Sequence, residues 1–445
     1  MTVLINLGYL IFIIVASPYY LVRFITTASA RQGLGERFGF VPKRDGAKPA
    51  IWLHCASVGE VNTAATLIRE LVARYPNHQL VLSTITPTGQ ATVKKKYPEY
   101  LSIFAPLDLS WVVKRTLKRI KPALIIIMEQ EIWPNFVRVA SKKNIPVVLV
   151  NARISDRSFN RYRWLNWIFK PTLSRISHLA VQNEDYAERY RSLGVPEEKI
   201  TVTGNMKYDN LPKSQIPMTN DQLRIEMGIK ENELVLVGGS THHPEEEILI
   251  NTYQYLLGLL TPNSKLRTLR LILAPRHPER AGEIERLIKA KGFDCLRRSE
   301  TNSALRKEFI PPKAGYPAII LLDTLGELVK VYALATVVFV GGSLCRRRGG
   351  QNILEPAALG KPVLFGPYAY NFQAEAELLI KSGAGLMVKD RDELLQILKD
   401  LLANPVRIQA MGRRAQDVVT GQQDATGRTI PLIAVLLNKI IDFNN

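Results

Sequence analysis

Five short clusters in the 445-residue chain carry side chains able to do chemistry, and four of them directly follow an apolar run. In the first, His54-Cys55-Ala56-Ser57-Val58-Gly59-Glu60, small residues permit a tight loop before the helical apolar pattern of 61–75. Glu60 then lies near a helix N-terminus. A carboxylate there complements the helix dipole; beside a nucleotide cleft it is equally a general base for a hydroxyl nucleophile. The second cluster, Glu129-Gln130-Glu131-Ile132-Trp133-Pro134-Asn135, closes the most apolar run of the first half. Either one of its two carboxylates holds a catalytic base or cation in place, or both are solvated turn residues. The third, Thr203-Gly204-Asn205-Met206-Lys207-Tyr208-Asp209, offers Lys207 to an anionic donor, or simply to solvent.

The fourth cluster is Pro275-Arg276-His277-Pro278-Glu279-Arg280. An arginine presents a planar fork of donors suited to phosphate, and flanking prolines lower the entropic cost of holding it; a structural ion pair is the competing use. The fifth runs from Gly341-Gly342-Ser343 through Arg346-Arg347-Arg348-Gly349-Gly350-Gln351 to Asn352-Ile353-Leu354-Glu355. A strand ending in a glycine-rich loop that opens a helix can cradle phosphate with backbone N–H groups, and Glu355 could accept from a ribose diol. Asp323-Thr324-Leu325-Gly326-Glu327 follows another apolar run and could line the same pocket. No G-x-x-x-x-G-K-[ST] loop occurs, and no G-x-G-x-x-G follows the first strand, which disfavours a dehydrogenase. His242 and His243 lack companions at zinc-ligand spacing, so no metal is assigned.

The elements that must position these clusters read as α/β. Strands are predicted at 50–53, 80–84, 102–104, 123–128, 146–150 and 178–181. After a Pro-containing linker at 210–220, a second series is predicted at 234–237, 270–274, 318–322, 336–340, 362–365 and 385–388. Near-continuous apolar runs such as Ala-Leu-Ile-Ile-Ile-Met suit central parallel strands. Two Rossmann-like domains are therefore expected, 35–209 and 221–445, facing across a cleft, with the last helix able to pack back on the first domain. Ligands of such sheets bind beyond the carboxyl ends of the strands, where the clusters fall.

Bulk properties narrow the partners. A formal charge of +19 favours polyanions, anionic membrane faces or phosphorylated substrates. Three scattered cysteines exclude a disulfide framework. Residues 3–22 hold no charged side chain, and twenty residues at about 1.5 Å each span roughly 30 Å of hydrocarbon. With Arg23, Arg31, Arg37, Lys43 and Arg44 following, an uncleaved transmembrane anchor is expected, its body cytoplasmic. The segment 162–169, with Trp164 and Trp167 among basic residues, either docks to a lipid interface or packs as an ordinary helix.

Seven motifs in order, H-C-A-S-V-G-E-V, S-T-I-T-P-T-G, E-I-W-P-N, T-G-N-M-K-Y-D, P-R-H-P-E-R, D-T-L-G-E-L and G-G-Q-N-I-L-E-P-A-A, closely resemble the Kdo (3-deoxy-D-manno-octulosonic acid) transferases of Gram-negative bacteria over nearly the whole chain. The resemblance implies a GT-B fold and inverting transfer of Kdo from CMP-Kdo to a tetra-acylated, bis-phosphorylated lipid A precursor (lipid IVA). It implies lipopolysaccharide synthesis at the bacterial inner membrane, with no metal, no other cofactor and no nucleic acid partner. It also implies Glu60 as general base and Glu131 and Lys207 as transition-state stabilisers. CMP would be bound at Pro275, Arg276, Leu325, Gly326, Glu327, Asn352, Ile353, Leu354 and Glu355. Gln351 stands where the family usually has histidine, and cannot be a cation; the basic run 346–348 either offsets that loss or is a solvated loop tip. Two other functions remain: a nucleotide-sugar enzyme with a different donor, and a basic scaffold that binds nucleic acid or anionic lipid without turnover.

Overall fold

The computed structural model describes residues 2–44, 48–212, 220–259, 269–300 and 317–444. The chain forms two compact units, Met1–Asn210 with Gln422–Asn445, and Leu211–Gly421. Part of the expected linker, 213–219, lies outside the described residues.

The first unit is built on seven strands: β1 Ala50–His54, β2 Gln79–Thr84, β3 Leu101–Phe104, β4 Pro122–Met128, β5 Val147–Ala152, β6 His178–Val181 and β7 Ile200–Val202. They lie parallel in the order β3-β2-β1-β4-β5-β6-β7. Alternate side chains serve two cores. Trp52, Ile125, Ile127, Val147 and Leu149 face one layer of helices; Ile51, Leu53, Leu124, Ile126, Val148 and Val150 face the other. Each such isoleucine or leucine, once fully buried, contributes roughly 1.5–3 kcal/mol, which is why β4 is apolar on both faces. The helix Ala425–Asn444 returns to this unit and adds Ile430, Ile433 and Leu437 to the second core. Asp209 fixes its start by accepting the Ala425 and Thr426 N–H groups at 3.2 and 2.6 Å.

The second unit repeats the plan with β8 Leu234–Thr241, β9 Leu269–Pro275, β10 Cys295–Arg297, β11 Ile319–Leu321, β12 Val337–Val340, β13 Val363–Phe365 and β14 Gly385–Met387. All are parallel, in the order β10-β11-β9-β8-β12-β13-β14. Gly239 of β8 is required by close approach: a Cβ there would sit 2.1 Å from the Tyr332 hydroxyl. In each sheet the strand order reverses beside the first strand, between β1 and β4 and between β8 and β12, the crevice where such sheets bind ligands.

Two strands, β7 and β10, were not among the predicted runs. Both are sheet edges, and only one of their six residues is buried, so neither carries the apolar run of a strand covered on two faces.

The expected transmembrane anchor over 3–22 is not supported by the structure. The segment is helical over Thr2–Thr26, but among the described residues no helix is long and apolar enough to cross a membrane. The first turns belong to the globular unit. Ile5 is buried; Asn6 donates to Ser110 Oγ at 2.8 Å and accepts from Asn135 Nδ2 at 3.0 Å; Arg138 donates to Thr2 Oγ1 at 3.0 Å. The helix continues from there to Thr26. It exposes Ile14, Val15, Leu21, Val22 and Ile25.

Candidate active site

In the first unit the Glu60 loop is a local capping device. Ser57 is the N-cap of the helix Val58–Thr63 and its hydroxyl accepts the Glu60 N–H at 3.5 Å, while Glu60 Oε2 reaches back to the Ala56 N–H at 2.7 Å. This is the reciprocal logic of a capping box, and it directs the carboxylate back over the end of β1. Burial pushes the Glu60 pKa up to about 8; the Ala56 N–H opposes that, the Glu129 and Glu131 charges add to it, and Arg153 counters them. Helix capping and basicity therefore coexist in one side chain.

The turn after β4 brings the second cluster to the same crevice. Glu129 adopts φ +57, uncommon for a residue with a Cβ, and its Oε2 accepts from Arg153 Nε at 2.6 Å. Glu131 Oε2 accepts from Trp133 Nε1 at 3.0 Å. Pro134 opens the next helix, whose first N–H groups, Asn135 and Phe136, are taken by the Asp108 carboxylate at 3.0 and 2.6 Å. Burial raises the Asp108 pKa to about 7 against those donors. Lys207 follows the edge strand β7, four strands from β1, yet its segment crosses back over the sheet. Asn151 Oδ1 accepts the Met206 N–H at 3.0 Å, and Asn210 bonds Thr63 and Thr66 beside the Glu60 helix. The Glu60 helix and the loops of Glu131 and Lys207 thus all lie at the carboxyl edge of one sheet.

In the second unit, three strands, β11, β9 and β12, carry the expected nucleotide residues, with β8 between β9 and β12. Arg276 is exposed at the end of β9, with its N–H on the Thr241 carbonyl at 3.0 Å. Glu355 is held by Asn352 Nδ2 at 3.0 Å; burial raises its pKa, against that bond and the nearby Arg276 charge. The structure therefore brings Arg276, Asn352 and Glu355 together. Ile353 and Leu354 are fully buried, so they can offer a ligand only backbone groups. Leu325 is 83% exposed and Gly326 adopts φ +87. Glu327 is held by Arg298 at 2.9 Å, which keeps its pKa below the usual carboxylate range.

At the start of the glycine-rich loop the Gly342, Ser343 and Leu344 N–H groups already have a partner within the chain. It is Glu245, four residues past β8: Oε1 accepts the Ser343 and Leu344 N–H groups at 3.0 and 2.9 Å, and Oε2 those of Gly342 and His242 at 2.7 and 2.9 Å. The helix that follows, Leu354–Ala358, spans only five residues, too short for a sizeable dipole. Gln351, at the position of the family's histidine, lies 3.4 Å from His242 Nε2. Burial lowers the His242 pKa to about 4, with Arg348 the largest of the charges that assist. Arg346, Arg347 and Arg348 are exposed.

A family model described as 3-deoxy-D-manno-octulosonic-acid transferase (kdotransferase) matches residues 32–210. The 3-deoxy-D-manno-octulosonic acid transferase of Haemophilus influenzae is 34% identical over 412 residues, 92% of this chain and 92% of that protein. The chain belongs to the Kdo transferases. The enzyme of the same description from Chlamydophila psittaci is 29% identical over 88% of this chain and 86% of its own. This Kdo transferase also shares its fold with a solved glycosyltransferase from Rickettsia africae, at 11% identity and a TM-score of 0.53 over 88% of this chain and 99% of that one. It is accordingly a glycosyltransferase of two parallel α/β units, GT-B-like in fold.

Motif reading overlooked several residues of this enzyme that the geometry adds. Arg153 is one: it pairs with Glu129 of the second cluster from a separate loop, and only the paired ends of β4 and β5 make them neighbours. Glu245 had a signal, a carboxylate four residues past a strand end like Glu60, but its partners are almost a hundred residues away. Among the described residues no group of three His, Cys, Asp or Glu side chains is gathered to hold a metal ion.

Proposed function

We propose that the enzyme transfers Kdo from CMP-Kdo to a tetra-acylated, bis-phosphorylated lipid A precursor with inversion, releasing CMP. The observation that carries this reading is the Glu60 carboxylate, directed by its own capping contacts and raised in pKa to about 8. A base of that strength removes a proton from a primary hydroxyl as the hydroxyl oxygen bonds the anomeric carbon. The bond from that carbon to the CMP phosphate oxygen breaks, and its electrons leave with CMP. Glu131 and Lys207 are assigned to stabilising the charge that develops at the sugar, and Arg276 to opposing the negative charge that grows on phosphate. Pro275, Leu325–Glu327 and Asn352–Glu355 are assigned to holding CMP, with Glu355 on the ribose. The transfer is expected to proceed without a metal and to survive a chelator.

The acceptor is a lipid, so the protein is assigned to the cytoplasmic face of the bacterial inner membrane, in contact with its anionic surface. Supporting this are the exposed apolar side chains of Thr2–Thr26 and the segment 162–169. There Tyr162 and Phe169 are buried and stacked at 3.9 Å, while Trp164 and Trp167 are 81% and 56% exposed. The exposed tryptophans suit docking to a lipid interface, while the stacked pair serves ordinary packing.

CMP release in detergent, with CMP-Kdo and purified acceptor, tests the reading. Wild type is expected to turn over, and Glu60→Ala to bind CMP-Kdo but release no CMP. Turnover unchanged in Glu60→Ala removes the carboxylate from the reaction; turnover with a UDP-sugar and none with CMP-Kdo replaces the donor. The anomeric configuration of the product, read by NMR, decides inversion.

A further inference from the structure

We propose that His54 and Glu131 together hold one hydroxyl oxygen in a cavity beside the reactive carboxylates. His54 ends β1 and is 4% exposed. Its Nδ1 lies 2.8 Å from Ser83 Oγ, and the same oxygen receives Trp52 Nε1–H at 2.8 Å. An indole nitrogen only donates, and a serine hydroxyl has one hydrogen to give. A second lone pair on Ser83 Oγ leaves either direction open at Nδ1; in the proposed arrangement Ser83 donates to Nδ1 and the imidazole proton is on Nε2. That Nε2 is buried and has no hydrogen-bond partner among the described residues. Burial lowers the His54 pKa to about 4, so the ring stays neutral and presents a single N–H.

The imidazole lines a cavity of about 10 Å³ walled by Trp52, Ile127, Trp133 and Phe136, with Glu131 as its other polar boundary. That volume is about one water-sized sphere, and a polar site of this size takes one hydrogen-bonding oxygen. A bare anion oxygen would meet the Glu131 carboxylate unfavourably. A hydroxyl instead accepts from Nε2–H and donates to Glu131, whose Oε2 already accepts from Trp133. The chain Trp52–Ser83–His54–hydroxyl–Glu131–Trp133 then fixes the carboxylate orientation, making His54 a positioning residue. The hydroxyl is either a retained water or one supplied by a substrate.

Two measurements on the full-length protein test this. In ¹⁵N-histidine two-bond correlation spectra, with the His54 signals assigned by their loss in His54→Gln, the neutral Nε2–H form is expected; an Nδ1–H form overturns the proposal. In CMP-release assays, His54→Asn keeps an amide near the Nδ1 position but cannot reach the cavity, whereas His54→Gln carries an N–H close to the Nε2 position. His54→Asn is expected to lose tenfold or more, and His54→Gln to recover part. A loss in acceptor KM names a substrate hydroxyl; a loss in kcat with both KM values unchanged names a fixed water. A His54→Asn enzyme as active as wild type overturns the proposal. These kinetic arms rest on Glu131 acting in the transfer, but the tautomer does not, so the two can fail separately.

Discussion

Glu60 and Glu245 occupy matching places, each on the loop or helix that follows the first strand of its sheet, and they have been put to opposite uses. Glu245 receives four backbone N–H groups, two on each oxygen, and holds the Gly342–Leu344 turn. Glu60 receives one strong N–H, from Ala56, and faces two further carboxylates. Burial raises both pKa values, but only Glu60 retains lone pairs for a proton. A buried carboxylate becomes architecture when donors saturate it and a reagent when they do not.

The largest expected effect that would break this contrast is at Glu60. Glu60→Gln should lower kcat by about 10²–10⁴-fold with donor binding kept. The same variant should be more stable than wild type. A carboxyl whose folded pKa is about 8, against an ordinary 4.5, disfavours folding increasingly as pH rises through that window. The Tm gain should therefore be larger at pH 9 than at pH 5, measured by calorimetry. Next comes Glu245→Gln, which leaves one oxygen for four donors and turns an amide N–H against the rest. It should destabilise the second unit by about 3 kcal/mol, read by urea denaturation, with weaker CMP binding and little change in the pH profile. Arg276→Lys removes the planar fork and should raise donor KM by about tenfold, leaving the chemistry of Glu60 intact. The smallest effect sharpens the contrast. The rising limb of kcat/KM should follow Glu60, with its midpoint near pH 8. Glu129→Gln removes a like charge and frees Arg153, so the limb should move to lower pH; Arg153→Met should move it higher. Limbs that move together, or not at all, would separate Glu60 from the observed base.

The motifs and the strands covered on both faces were legible in one dimension, because a two-sided core demands continuous apolar runs and ligand loops follow their carboxyl ends. Edge strands β7 and β10 were not, since partial exposure leaves no such run. The N-terminal run reads as a span on its apolar length and the basic residues after it; what one dimension does not show is that Asn6 in its first turns bonds Ser110 and Asn135 more than a hundred residues away.

By itself the amino-acid order determined that this chain would be two α/β units with carboxylates, a lysine and arginines at strand ends, and that it would resemble Kdo transferases. Hydrophobic period and local turn chemistry act over a few residues, so they can be read directly. Only the tertiary structure decided which carboxylate keeps open lone pairs, which glycine-loop N–H groups are already occupied, and that Nε2 of His54 has no hydrogen-bond partner among the described residues. Those outcomes depend on groups distant in sequence competing for the same hydrogen bonds in a site from which water is largely excluded.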